Sequence, residues 1–254
     1  MTSSLARFCQ FFYVAAGVLG APGTWQVADG TRHTVDARQD NGFAVQYWAN
    51  GNANLNWTNG QGGHFMVGWD QQSGGNFVVG KGYSSGDMLV NYTGHFEVWG
   101  NAYLTLYGWT TEPLIEWYVI ESFGHHNPSD NRNSTCYGTF ESDGGTYEVW
   151  MKWRVNAPSI IGDATFMQFW SVRTTRRVGG TINTTRHFEA YERAGLRLGT
   201  HQPHNMVVGI EGQQGIGSAD ITVGDLPSGT VPEDPTPTTR TERPSETSTC
   251  TGSL

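Results

Sequence analysis

From about residue 42 to residue 223, short runs of alternating apolar and polar residues recur between clusters of Gly, Asn and Ser. Val, Tyr, Phe, Trp and Thr dominate the runs, as expected of half-buried strands. Such a succession predicts an all-β domain, a sandwich or jelly roll. One stretch departs from period two. Residues 184–195 place Phe188, Tyr191 and Ala194 on one helical face, with Thr184 positioned as N-cap and Gly195 as terminator. That predicts one short amphipathic helix packed as scaffold on the outside of a sheet.

Strand parity sorts the side chains further. In 103–109, Tyr103, Thr105, Tyr107 and Trp109 share a face and Leu104 and Leu106 share the other. In 115–121, Glu116, Tyr118 and Ile120 oppose Ile115, Trp117 and Val119. One face is therefore apolar, and the other carries rings, hydroxyls and a carboxylate. Rings stack on the apolar faces of pyranoses while phenols bind their hydroxyls, so this face suits a sugar cleft. A second glutamate, Glu211, follows the apolar run Val207–Ile210. Two carboxyl groups are the minimum equipment for cleaving a glycosidic bond. Glu121 stands at an odd spacing from Glu116 and so falls on the opposite face, in a structural role. Glu112 before Pro113 reads as a solvated turn residue, and Glu97, Glu141 and Glu148 have no catalytic motif around them.

The termini differ in character. Residues 1–20 combine Arg7 with an apolar run, Phe8–Gly20, too short to span a membrane, and read as an export signal. Residues 21–38 are either a pro-segment trimmed after Arg38 or an edge strand. The catalytic domain is expected over 39–224. Residues 225–254 are rich in Pro, Thr, Ser and Glu without apolar periodicity, which predicts a disordered, O-glycosylated tail. Of the three cysteines, Cys136 and Cys250 would survive signal removal; with Cys250 in that tail, they are expected as unpaired thiols or an intermolecular bridge. Asn56, Asn91, Asn133 and Asn183 head glycosylation sequons, in keeping with secretion.

Composition narrows the function classes. A net charge of −8 and the absence of a basic run argue against nucleic acid. The eight histidines lack metal-ligand spacing, so no metal and no cofactor is expected. A neutral polysaccharide fits better than an anionic partner.

Ordered motifs then give a specific likeness. Residues 75–82, 103–109, 113–124, 158–162, 168–173 and 211–212 resemble family 11 glycoside hydrolases, endo-1,4-β-xylanases, along a stretch from Asn41 to Val223. The resemblance implies a β-jelly roll of two strongly twisted antiparallel sheets, concanavalin-like and shaped like a partly closed hand. It implies Glu116 as nucleophile and Glu211 as acid/base of a retaining double displacement on xylan, in a secreted monomer that binds neither nucleic acid nor membrane. It further implies substrate contacts from Trp48, Asn76, Tyr103, Tyr107, Tyr118, Arg154 and Pro158, the last at the tip of a thumb loop lined also by Gln168 and Trp170. Gln168 would reach a sugar hydroxyl. Asn76, where the family has Asn or Asp, implies a near-neutral optimum.

Departures from the family pattern concern sugar contacts. Asn205, Gln213 and His126 stand where the family usually has Tyr, and Trp117 replaces the Tyr after the nucleophile. Two alternatives stay open from sequence: a weakly active or non-catalytic protein that binds plant-wall polysaccharide or serves as a recognition signal, and a β-1,4-glucanase. The thumb motif at 158–162 favours xylan, whose sugars lack the hydroxymethyl arm.

Overall fold

The computed structural model describes residues 42–224 except 51–52, 72–74, 84–85, 87, 130–132 and 204, together with the backbone of two short strands at 24–25 and 39–40 and with residues 250–254. The export signal and most of the 225–254 tail lie outside the described residues. Chain order runs β1 (Thr24–Trp25), β2 (Gln39–Asp40), β3 (Phe43–Ala49), β4 (Leu55–Asn59), β5 (His64–Gln71), β6 (Phe77–Tyr83), β7 (Leu89–Thr111), β8 (Ile115–Phe123), β9 (Ser134–Ser142), β10 (Gly145–Ser159) and β11 (Gly162–Arg173). It ends with β12 (Gly180–Asn183), α1 (Thr184–Arg193), β13 (Thr200–His201) and β14 (Met206–Val223). The β1 pair, Thr24 opposite Thr58 and Trp25 opposite Trp57, makes an edge strand of part of the 21–38 segment.

Two long strands, β7 and β14, run side by side through both layers of the jelly roll. Their first and last portions have different neighbours. Residues 215–222 of β14 pair with β5 and residues 89–92 of β7 pair with β12, forming the back layer. Residues 206–212 of β14 pair with β6, and residues 103–110 of β7 pair with β8, forming the front layer. β11, β10 and β9 complete the front. The pairing is antiparallel except between β8 and β11, which run parallel with Glu116 opposite Gln168, a departure from the wholly antiparallel sheets expected.

Alternation places two apolar clusters on opposite sides of the front layer. Phe65, Val67, Trp69, Ile221, Leu104, Leu106, Trp117, Val119 and Phe169 fill the space between layers. Val78, Tyr107, Trp109, Tyr118, Trp150, Phe166 and Trp170 line the other side, which is the cleft. Trp117 belongs to the core, packed edge-on against Phe188 at 5.0 Å and against His201. It lies on the core side, away from the cleft, so the Trp after Glu116 is a packing residue, not the altered sugar contact expected from sequence. Gly108 makes room for it: a Cβ there would lie 2.4 Å from the Trp117 ring.

The helix forms as predicted over Thr184–Arg193, but Asn183 caps it, its side chain accepting from the Arg186 N–H at 3.4 Å. Thr184 is buried instead and donates to Gly86 and Met88 carbonyls. The helix packs on the core side of the front layer, where the Tyr191 hydroxyl donates to the Tyr118 carbonyl at 2.7 Å. The sequon at Asn183 is thus occupied by capping, and Asn91 accepts from Thr181, while Asn56 and Asn133 are exposed.

Cys136 and Cys250 form an intramolecular disulfide, contrary to the unpaired thiols or intermolecular bridge expected from sequence. The cause is local. Residues 250–254 add to the free edge of β9, where Thr139 N–H donates to Gly252 O and Leu254 N–H to Thr139 O, each at 2.9 Å, and Leu254 packs on the core. An open sheet edge offers unpaired backbone groups, and a bonded segment removes that exposure. With the cysteines separated by 114 in sequence, cross-linking strongly restricts the unfolded chain. Cys250→Ser is expected to lower stability by about 2–4 kcal/mol, measured by reversible thermal or urea unfolding. Equal stability of variant and parent, or free thiols in the non-reduced parent, would contradict the bond.

Candidate active site

Glu116 is the second residue of β8, its Cα opposite Trp109 on β7 and Gln168 on β11. Support on both sides is what holds its carboxyl. The Tyr107 hydroxyl donates to Oε1 at 2.9 Å, and the Gln168 amide donates to Oε2 at 2.7 Å. Trp109 Nε1 in turn donates to the Tyr107 oxygen, so the phenol is fixed from behind. Sequence reading put Trp109 on this face without assigning it; its shared parity with Tyr107 is the signal that locates it. Gln168 was expected to meet a sugar hydroxyl; in the structure one N–H of its amide goes to the carboxylate, because it lies on the strand body beside Glu116.

Glu211 lies on β14 with Val78 of β6 on one side and Tyr103 of β7 on the other. The row continues to Trp48, the partner of Val78, and to Phe123, the partner of Tyr103. Gly212 follows because a Cβ there would lie 2.4 Å from the Phe77 ring. The Tyr118 phenol acts on both carboxyls and lowers each, which puts Glu116 and Glu211 around one ring of the cleft. Buried Oε2 of Glu211 has no hydrogen-bond partner in the described protein.

Electrostatics separates the two acids. Burial leaves Glu116 raised above the ordinary carboxyl range, with the hydrogen bonds from Gln168 and Tyr107, the Tyr118 phenol and the charge of Arg154 opposing it. For Glu211, burial and the neighbouring Glu116 charge push it up to about 8, with the Tyr118 hydrogen bond and Arg154 opposing. Glu116 therefore ionises first and Glu211 keeps its proton near neutrality. Their environment also drives the Tyr107 and Tyr118 phenols well above their usual value, so both stay neutral donors.

The other sequence-predicted residues fall around this pair. Trp170 tilts against Tyr118 with ring centroids 6.2 Å apart. Exposed Arg154 sits at the last regular pair of β10 before a bulge at 155–156, and exposed Pro158 pairs with Asp163 near the hairpin tip, where the Ser159 hydroxyl donates to Gly162 O and accepts from Ile161 N–H as the chain turns. Asn76 lies two residues before Val78, its backbone N–H bonded to Asn50 Oδ1 at 2.8 Å. Trp48 and Tyr103 are partly buried at the cleft surface. His126 and Gln213 are exposed, and Asn205 is half-buried.

The remaining acids are held elsewhere. Glu121 accepts from Tyr92 at 2.8 Å, from Tyr147 and from Arg177 on the core side, the structural role that parity predicts. Glu148 is buried and accepts from Trp150 Nε1 at 3.0 Å. Glu112 is exposed in the turn between β7 and β8.

The family model described as glycosyl hydrolases family 11 matches residues 40–222. A probable endo-1,4-β-xylanase B of Aspergillus clavatus is 45% identical over 210 residues, covering 82% of this chain and 93% of that protein. An ethylene-inducing xylanase 1 of Botryotinia fuckeliana is 43% identical over 188 residues, covering 74% of this chain and 65% of that protein. Among solved structures, one from a structural comparison of two endo-1,4-β-xylanases of Trichoderma reesei superposes with a TM-score of 0.65 at 39% identity, covering 71% of this chain and 97% of that one.

The raised carboxyl values carry a consequence for folding. A group whose folded pKa exceeds its unfolded value binds more protons when folded, so its contribution favours the fold at low pH and is lost as pH rises through the folded value. For Glu211 the window runs from its ordinary 4.5 to about 8. Glu211→Gln is expected to flatten the fall in unfolding free energy across that window, measured by denaturant titration at several pH values; an unchanged slope would contradict the assignment.

Proposed function

The chain belongs to glycosyl hydrolase family 11, and on that premise we propose that it is an exported endo-1,4-β-xylanase which cleaves internal bonds of xylan with retention, Glu116 acting as nucleophile and Glu211 as acid/base. The observation that carries the reading is two glutamates on one face around the Tyr118 phenol, one held by donors from Tyr107 and Gln168 and the other pushed up to about 8 by burial and its neighbour's charge.

Chemistry follows from the two environments. Glu116 attacks the anomeric carbon while Glu211 gives its proton to the glycosidic oxygen, so the bond breaks as a neutral sugar hydroxyl leaves. In the resulting ester Glu116 has no charge, and the repulsion that raised Glu211 disappears. Glu211, already a carboxylate after giving up its proton, is stabilised in that form and takes a proton from a water whose oxygen bonds the anomeric carbon, as the ester bond breaks and Glu116 leaves as carboxylate. Tyr107 and Gln168 keep the carboxylate aimed throughout. Retention requires carboxyl groups about 5–5.5 Å apart, and the shared contact with Tyr118 supports such a spacing.

Trp48, Tyr103 and Trp170 supply ring faces for xylose units, and Arg154 and the Pro158 hairpin approach from the thumb side. A binder would gain nothing from an acid whose proton is held to about pH 8 beside a carboxylate. Export is supported by the Cys136–Cys250 bond, because structural disulfides belong to oxidising compartments. The apolar run near the N-terminus and the exposed sequons at Asn56 and Asn133 agree with it.

Incubation with xylan and, separately, a mixed-linkage glucan, followed by NMR of the new reducing ends, tests the reading. Release of β-anomers from xylan is expected, with Glu116→Gln and Glu211→Gln each losing on the order of 10³-fold or more in kcat. Absence of xylan cleavage by the parent would sink the activity; α-anomers would sink the retaining mechanism. Asn76→Asp, which adds a negative neighbour near Glu211, is expected to move the kcat/KM profile towards acid, as the family resemblance implies; an unmoved profile counts against placing Asn76 beside the acid/base.

A further inference from the structure

β7 continues beyond Tyr103, away from Tyr107, with two more residues on the cleft side of the strand. Phe96, Val98, Ala102, Leu104 and Leu106 all pack on the core, so Asn101 and Trp99 share the face of Tyr103. Trp99 is 58% exposed, although it sits in regular pairing opposite Ile216, itself 52% exposed. The β14 bulge between Gly212 and Gln214 reverses the faces of that strand, which puts Ile216 on the outside with Trp99 while Ala219 and Ile221 enter the core. Two large apolar side chains displayed together on the face that carries the catalytic pair mark a contact surface.

The surroundings have the chemistry of a sugar subsite. The His125 ring meets Trp99 edge-on at 5.2 Å, and His125 N–H donates to Gly100 O at 2.8 Å, so the segment after β8 buttresses the indole. Gly100, at φ +135, lets the two long strands approach closely; a Cβ there would lie 2.4 Å from Gln214 O. Beside the ring, Asn101 Nδ2 donates to Gln213 Oε1 at 3.4 Å, and the buried Asn101 Oδ1 has no hydrogen-bond partner in the described protein. A flat ring with a fixed acceptor next to it suits a pyranose, whose apolar face stacks while a hydroxyl donates. Four residues of strand, roughly 13 Å, separate Trp99 from Tyr103, the Cα partner of Glu211. A chain cleaved at the pair reaches this point after a few sugars.

We propose that Trp99, with Asn101 as its hydrogen-bonding companion, forms a distal subsite that holds the xylan chain beyond the cleavage point. The inference rests on the xylanase reading. It also accounts for the exposed His126 and Gln213 in place of tyrosines: the stacking surface lies on β7 in this chain.

Calorimetric binding in the Glu116→Gln background separates the possibilities, with xylotriose, xylohexaose and cellohexaose as probes. Trp99→Ala is expected to shrink the affinity gain from xylotriose to xylohexaose by about 3–10-fold, with Trp99→Phe keeping most of it. The same length dependence in parent and Trp99→Ala, or equal weakening of both xylo-oligosaccharides, would overturn the subsite. If the parent prefers cellohexaose to xylohexaose, the xylan reading fails; a length dependence that still needs Trp99 would then support the platform with a glucan chain on it.

Discussion

Two carboxyl groups confined to one apolar-walled cleft cannot both carry charge without a large electrostatic penalty. Most of the front layer is arranged around that constraint. Donors converge on Glu116 from β7 and β11, while Glu211 has the repulsion and one shared phenol. The donors are themselves secured: Trp109 holds Tyr107, and the helix fixes the Tyr118 backbone through Tyr191. Asymmetry of hydrogen bonding thus decides which acid is which, and the fold supplies it by putting Glu116 on a strand flanked on both sides by polar partners. Glu211 has Val78 and Tyr103 as neighbours instead.

Much of this was legible in the sequence because strand alternation is local. The parity of 103–109 and 115–121 separated cleft from core and set Glu121 apart from Glu116, and helical spacing over 184–195 gave the helix observed at Thr184–Arg193. Ordered motifs supplied the family. Gln168 shows where such reading ends: its parity was visible, but only the parallel pairing of β11 with β8 sets it opposite Glu116. Trp117 was likewise on the core side by parity, yet its substitution was weighed as a sugar contact because the family pattern spoke louder than the alternation.

Long-range closure was the part that sequence could not give. The segment before Cys250 has the composition of an unstructured tail, and composition carries no information about a few residues that return to a sheet edge. Leu254 and the β9 backbone decide that docking, and the disulfide follows from it. Helix capping failed on a finer scale: Asn183 and Thr184 are both good caps, and Thr184 was taken up by carbonyls of the 86–88 segment.

The parallel pairing of β8 with β11 begins at Met167, one residue before the amide that holds Glu116. From Gly162 to Phe166, β11 is paired only with β10, as a hairpin that overhangs the cleft. The boundary between overhanging and anchored chain therefore falls beside Gln168. Under the proposed mechanism, any bending of the hairpin would be felt first at the hydrogen bond from Gln168 to Glu116, so grip on substrate and basicity of the nucleophile would be mechanically linked within one strand.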